Sequence, residues 1–250
     1  MRLSPSGFLE PSQNGYPMSS QYALMWSGGK DSVLALHRAK TAGLDVTRLI
    51  NFHDSATGRV RFHATRVDTI QAQAAAAQIE LRAIGTSWPE MESRLSEELA
   101  ALRADGFAGV IFGDIHLVDV RAWYEERVTQ AGLLHVEPIW GESPRALLGE
   151  FVDMGGRAVI TCVDLSRLAA SWLGRIIDER FVAEIGSTGA DPCGENGEYH
   201  SFAYQSPDFR HSVAWRAGDV RSESGFSQLD VLLGEVAESA VPDNVVLGRS

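Results

Sequence analysis

Apolar residues fall into short runs that alternate with helix-period stretches, and this alternation predicts most of the elements. Residues 22–26 form an apolar run that stops at a double glycine, the pattern of a buried strand. Over 32–40, Val33, Leu34, Leu36 and Ala39 recur at helical spacing, and Gly43 stands where such a helix ends. The alternation then repeats, with a strand over 46–52, an alanine-rich helix over 67–78 and a short strand over 81–84. A helix over 93–103 carries Leu95, Leu99 and Leu102 on one face, a buried strand follows over 109–112, and a helix over 120–131 has Gly132 beyond its end. Strands separated by helices of this length imply a parallel sheet with helices on both faces, so the first half is expected to be a doubly wound α/β domain.

The texture changes after 135–140. A helix is expected over 144–154, a strand over 158–163, and a helix over 168–181 whose Leu168, Trp172 and Ile176 make a core stripe at fourfold spacing. A glycine-rich acidic stretch over 189–200 leads into a strand over 201–204, which suggests a smaller C-terminal α+β domain. The expected organisation is a flexible Ser/Pro/Gly-rich leader over 1–20, with Met18 as an alternative start, domains over 21–138 and 139–235, and a tail over 236–250.

Composition narrows the class. The 250 residues include 44% hydrophobic and 22% charged residues and a formal charge of −11, which suits a soluble globular chain. No apolar run approaches the roughly 18 residues that cross a bilayer, so no membrane span is expected. Two cysteines, Cys162 and Cys193, cannot make a disulfide framework, and the N-terminus has no basic region followed by an apolar stretch. A cytoplasmic location is therefore expected. The acidic balance gives no strong nucleic-acid signal, because phosphate neutralisation needs concentrated basic surface. Only two of the 22 cations are lysines, and one of them, Lys30, sits in Ser27-Gly28-Gly29-Lys30-Asp31-Ser32.

That hexapeptide occupies the first strand-to-helix turn, the natural phosphate site of an open parallel sheet. Gly28 and Gly29 let backbone N–H groups approach an anion, and the following helix adds the positive end of its dipole. Lys30 supplies a charge, the hydroxyls of Ser27 and Ser32 supply donors, and Asp31 would place Mg²⁺ or cap the helix. The spacing is neither that of the Walker loop nor that of the dinucleotide fingerprint. It resembles the PP-loop, SGGxDS, of the ATP pyrophosphatase superfamily, which implies ATP as substrate, cleavage between the α and β phosphates, and an adenylated intermediate.

Downstream, Asp191-Pro192-Cys193-Gly194-Glu195-Asn196-Gly197-Glu198-Tyr199-His200 gathers acidic and polar groups around glycines. A turn at Asn196-Gly197 could project Glu195 and Glu198 toward one place, with Tyr199 and His200 on a following strand. Such a cluster could bind an amine or trimethylammonium group, orient ammonia or hold a metal; a solvated acidic loop is the plainer alternative.

The two motifs together resemble the diphthine–ammonia ligase family of ATP-binding proteins, over about 22–209 and in its short form without extra C-terminal modules. Phe62-His63, Gly113, Ile115, Arg121, Glu125 and Pro138-Ile139-Trp140 match in order. The resemblance implies an adenine nucleotide alpha hydrolase-like, Rossmann-like fold and an amide-forming ligase. Its acceptor carboxylate, on a modified histidine of a translation elongation factor, is adenylated by ATP and captured by ammonia. ATP would lie on 27–32, His63 and Gly113. Arg121, Glu125, Asn196 and Tyr199 would meet the substrate, and Lys30, Glu195, Glu198 and His200 would serve catalysis. Arg121 and Glu125, four apart on a helix, also read as an ordinary ion pair. Two departures stand out: Trp123 replaces the second arginine of an Arg-x-Arg pair, and Gln205-Ser206-Pro207 replaces Asp-Gly-Pro. They keep open a nucleotide-binding regulatory protein without turnover. A PP-loop sulfurtransferase acting on tRNA would have Cys193 as its nucleophile. A homodimer is also left open.

Overall fold

The computed structural model describes residues 20–61 and 63–234; the leader over 1–19 with Met18, Phe62 and the tail over 235–250 lie outside them. Strand β1 (Gln21–Met25) leads into helix α1 (Lys30–Thr41), then β2 (Asp45–Asp54), β3 (Arg59–Val60), α2 (Val67–Ala77), β4 (Glu80–Thr86) and α3 (Met91–Ala104). β5 (Gly109–Ile111), α4 (Val118–Gln130) and β6 (Leu134–Val136) complete the first sheet. β4, β2, β1, β5 and β6 pair in that order, all parallel, and β3 pairs antiparallel with the last two residues of β2. The expected doubly wound α/β architecture is present. Strand alternation divides the side chains: Tyr22 and Leu24 join one buried cluster with residues of α1 and α2, while Ala23 joins another with Leu95, Leu99 and Leu102 of α3.

Helix α5 (Pro144–Asp153) leads to β7 (Arg157–Asp164), β8 (Ile176–Ile177), α6 (Glu179–Ile185), β9 (Tyr199–Gln205), β10 (Trp215–Glu223) and β11 (Phe226–Leu233). These strands form an antiparallel sheet of order β10-β11-β7-β8, with β9 also on β7. The helix expected over 168–181 is not formed. Leu168, Trp172 and Ile176 do pack on the core, but from separate pieces. Ala170–Trp172 is one 3₁₀ turn, Ile176 pairs with Val159 on β7, and Asp178 starts α6 by accepting from the Phe181 N–H at 2.9 Å. The edge of β7 offers a ladder to this segment, and the fourfold apolar spacing could not register that. The β10–β11 hairpin was not anticipated either, because most of β10 is exposed and carries no apolar alternation.

The second sheet is seated on the first. Ile70 and Trp26 share a buried cluster with Phe202 and Val231. Polar ties flank that contact: Arg38 of α1 reaches Glu142 and Glu150, and Arg59 and Arg66 hold Asp230 of β11 at 2.8 and 2.6 Å. At the centre, Gln73 of α2 is fully buried. Its Nε2 donates to the carbonyls of Gly28 (2.9 Å) and Ala203 (2.6 Å), and its Oε1 accepts from the Trp26 indole N–H at 3.0 Å.

Two stability predictions follow from these ties. Gln73→Leu removes three buried hydrogen bonds, Gly28 O keeping only the one from Ala203 N–H, and should lower unfolding stability by about 3 kcal/mol or more in urea titrations; a loss under about 1 kcal/mol would show that the network does not hold the sheets together. The hydrogen bond from Arg66, reinforced by Arg59, holds the Asp230 carboxyl well below its usual range despite its burial. Its stabilisation is therefore present above the unfolded carboxyl pKa and is lost as pH falls through the lower folded value. Asp230→Asn should cost about 1–3 kcal/mol at pH 7, and the gap to the wild-type protein should narrow in unfolding curves taken at successively lower pH.

Candidate active site

Beyond the carboxyl ends of β1, β2 and β5 lies a cavity of about 870 Å³. Strand order reverses direction between β1 and β5, and such a switch point is where open α/β sheets bind ligands. The 27–32 turn forms one wall. Gly28 has φ +78°, and a Cβ there would come within 2.5 Å of both Gln73 and Ile70, so the turn needs glycine. Gly113, just past β5, lies so close to the start of α1 that a Cβ would meet Asp31 and Ser32 backbone atoms at 3.1 Å. The Ser27 hydroxyl accepts from Gly29 N–H at 3.3 Å, and the Ser32 hydroxyl donates to Gly29 O at 3.0 Å.

Gly29 is the N-cap of α1 and no side chain caps it, so Asp31 does not have the capping role considered for it. The uncapped helix start presents its positive end to the cavity. One of its N–H groups is already engaged, since Lys30 N donates to the Ser201 hydroxyl of β9 at 3.2 Å. The Lys30 ammonium is 3% exposed; it donates to Asp31 at 2.9 Å and to the Cys193 carbonyl, and lies 4.9 Å from the centre of the Tyr199 ring. Burial opposes its charge, but Asp31 prevails and keeps its pKa above the ordinary value. Lys30 thus joins the PP-loop-like turn to the downstream acidic loop.

Within that loop, Asp191 accepts from the N–H groups of Cys193 (2.8 Å) and Glu195 (3.3 Å), and the Tyr199 hydroxyl donates to the Pro192 carbonyl at 2.6 Å. Glu198 is 2% exposed and accepts from Asp191 N–H, Asn196 N–H and Arg167 at 3.1–3.3 Å. The expected convergence of Glu195 and Glu198 on one place is not found. Glu198 satisfies the loop's own N–H groups and is absent from the cavity wall, Asn196 is exposed, and Tyr199 braces the loop beneath Lys30. Glu195 does line the cavity, its Oε1 accepting from Ile115 N–H at 2.9 Å.

Burial, helped by the charge of Asp31, pushes Glu195 up to about 7 and Asp114 to about 6. Burial likewise pushes Asp31 up, against the pull of Lys30. His63 and His200, far apart in sequence, stand with ring centres 4.6 Å apart on the cavity wall. Burial lowers His63 to about 4 and His200 well below its usual value, so both are neutral at pH 7. Arg121 and Glu125 are not on the wall: Arg121 sits 2.9 Å from Glu137, 3.7 Å from Glu125 and over the Trp140 ring at 4.6 Å. Burial pushes the Cys193 thiol up, and its Sγ lies 3.1 Å from the Pro144 carbonyl, the opposite of an activated thiolate.

Among the wall groups that sequence reasoning missed are Asn51, Arg61 and Asp114. Asp114 adjoins Gly113, and Asn51 is a polar residue in an otherwise apolar strand run, so both left a faint signal. Arg61, over the Trp88 ring at 5.4 Å, left none.

The residues fit a nucleotide. Glycine backbone and hydroxyls flank an uncapped helix start, Arg61 supplies a cation, and the buried amide oxygen of Asn51 lacks a partner among the described residues. No group of three or more His, Cys, Asp or Glu suited to a metal occurs among the described residues. Mg²⁺ needs less than that, because it is commonly held by one or two carboxylates together with substrate phosphates. Asp31 and Asp114, both on the wall, suit it.

Fold and site define an α/β protein with a cavity at the switch point of its parallel sheet, bordered by the glycine turn after the first strand. The family model of the diphthamide synthase N-terminal domain matches residues 20–135, and that of the diphthamide synthase C-terminal domain matches residues 143–226. The chain belongs to the diphthamide synthase family. No curated protein matches the chain. Among solved structures, the U34-tRNA thiolase NcsA from Methanococcus maripaludis with its 4Fe-4S cluster is similar at 16% identity and TM-score 0.39. The match covers 58% of this chain and 61% of that one. Among the described residues no helix is long and apolar enough to cross a membrane.

The electrostatics of Glu195 can be measured. A carboxyl held protonated to about 7 contributes stability that is full below its ordinary value of 4.5 and lost as pH rises through 7. Glu195→Gln should therefore raise the melting temperature at pH 8 and change it little at pH 4.5; equal melting at pH 8 would show that burial does not strain this carboxylate.

Proposed function

We propose that the cavity carries out both halves of an amide-forming reaction, with the 27–32 turn holding ATP and the wall of Arg61, Asp114 and Glu195 receiving the acceptor carboxylate and ammonia. The observation that supports it most directly is that Ser27 and Ser32 of the turn and the high-pKa Glu195 line one cavity, although 195 − 27 = 168 positions separate Glu195 from Ser27. Backbone N–H groups at Gly28 and Gly29, with the Ser27 and Ser32 hydroxyls, bind the β and γ phosphates and stabilise charge on the pyrophosphate leaving group. Lys30 and the dipole of α1 add positive potential there without a direct phosphate contact from the ammonium. Mg²⁺, held by Asp31 and Asp114, would offset phosphate charge.

In the first step an acceptor carboxylate oxygen, steadied by Arg61, attacks the α phosphorus, and the bond to the bridging oxygen breaks to release pyrophosphate. In the second, ammonia attacks the acyl carbon and AMP leaves with the bonding electron pair. Glu195 takes the proton shed by the nitrogen, a role for which a carboxyl titrating near 7 is well matched. The neutral imidazoles of His63 and His200 face the nucleotide; His63 Nδ1–H donates to the Ser201 carbonyl at 3.4 Å, so its Nε2 accepts. Glu198, Tyr199 and Asn196 shape the loop that carries Glu195, and Arg121 and Glu125 shape the wall from behind. The acceptor is the diphthine carboxylate on an elongation factor, and the setting is the cytoplasm. A homodimer forms no part of this reading.

ATP labelled at the α phosphate, incubated with Mg²⁺, ammonium and diphthine-bearing elongation factor, should yield labelled AMP and pyrophosphate. Glu195→Gln should slow amide formation about 100-fold or more, on the scale of a lost general base. Label appearing only in ADP, or AMP formation indifferent to the acceptor, would overturn the proposal.

A further inference from the structure

Asn51 of β2 is 1% exposed and lines the cavity. Its Nδ2 donates to the Trp26 carbonyl at 2.7 Å, and its Oδ1 is buried with no hydrogen-bond partner among the described residues. The bond to Trp26 fixes which way the amide points: exchanging its two ends would set two oxygens against each other at 2.7 Å. A buried acceptor left unpaired is costly, and such atoms in native proteins call for an explanation.

A phosphate cannot supply the missing partner, because its oxygens only accept at neutral pH. A carboxylate acceptor lacks a donor, and Arg61 does not supply one in this structure: its Nη2 donates to the Thr86 carbonyl, and its Nε, like Asn51 Oδ1, is buried without a partner among the described residues, so the two are not bonded to each other. The parts of ATP that carry donors are the ribose hydroxyls and the adenine amino group. The wall of the same cavity also carries Met25, Ile50, Phe52 and Val60, apolar surface suited to a nucleoside rather than to a triphosphate tail. We propose that Asn51 Oδ1 accepts a hydrogen bond from the nucleoside part of ATP and so determines which nucleotide the site takes. This rests on the ATP reading of the cavity and adds to it a residue that acts on the nucleoside alone. A nucleotide without the donating group would leave the same oxygen buried and unpaired, which is how a polar site rejects close analogues.

Calorimetric binding of four nucleotides in the presence of Mg²⁺ tests it: ATP, 2′-deoxy-ATP, 3′-deoxy-ATP and purine riboside triphosphate, which lacks the amino group. The wild-type protein should bind ATP and two analogues comparably and the third about tenfold more weakly, which identifies the donor. Asn51→Leu should weaken ATP about tenfold and leave the third analogue unaffected, so that the two losses are not additive. Equal affinity of the wild-type protein for all four nucleotides overturns the proposal, and this arm stands even where Asn51→Leu fails to fold. An equal penalty from Asn51→Leu on all four also overturns it, as expected if water satisfies the oxygen. If the wild-type protein binds ATP but shows no such discrimination, only the role of Asn51 falls; if it binds none of the four, the ATP reading falls with it.

Discussion

A turn made of two glycines has no side chains with which to hold its own shape, and the site depends on how this one is held. Gly28 O accepts from Gln73 of α2 at 2.9 Å and from Ala203 N–H of β9 at 2.9 Å, while Trp26 fixes the other end of the Gln73 amide. Two elements remote in sequence from the turn thus converge on one carbonyl. The low dielectric around these groups strengthens the bonds and makes an unpaired member costly. The turn is therefore held in part by the second sheet, which couples its shape to the docking of the two sheets.

The same docking sets the electrostatics. Bringing β9 and the 191–198 loop over α1 buries Lys30 with Asp31, and places Glu195 within reach of Asp31 and Asp114. One buried cation among several carboxylates leaves an excess of negative charge that burial resists, and two of those carboxyls keep their protons to about 6 and 7. Separated pKa values of this kind are what acid–base chemistry at neutral pH requires. The neutral histidine pair follows from the same cause, since water is withheld from both rings.

Much of the first half was legible because period and punctuation agreed there. The run that became β1, the apolar positions of α1 with Gly43 after it, and the alanine-rich α2 ending at Gln78 were all predicted within a few residues. The 168–181 region was misread because Leu168, Trp172 and Ile176 match a helix face, while the edge of β7 and the Asp178 cap decided otherwise. β10 escaped because a mostly exposed strand has no alternation to detect, and β11 because Ser227 and Asp230 are buried among its apolar residues and break the pattern. In the site, the 27–32 turn was readable from residue types and order, and the downstream motif was readable as a polar cluster. The division of labour inside that cluster was not, because Glu195 and Glu198 are chemically alike and only the direction of each side chain separates cavity from loop interior.

Sequence by itself determined the layered α/β class, the strand-turn-helix around the double glycine and the polar cluster downstream, since each depends on local spacing and residue type. Tertiary structure alone decided that Lys30 meets the Cys193 carbonyl, that His63 faces His200, that Glu198 turns inward, and that Asn51 and Arg61 belong to the site at all. Those outcomes depend on distances between residues far apart along the chain, and on burial, which changes what a given side chain can hold, accept or release.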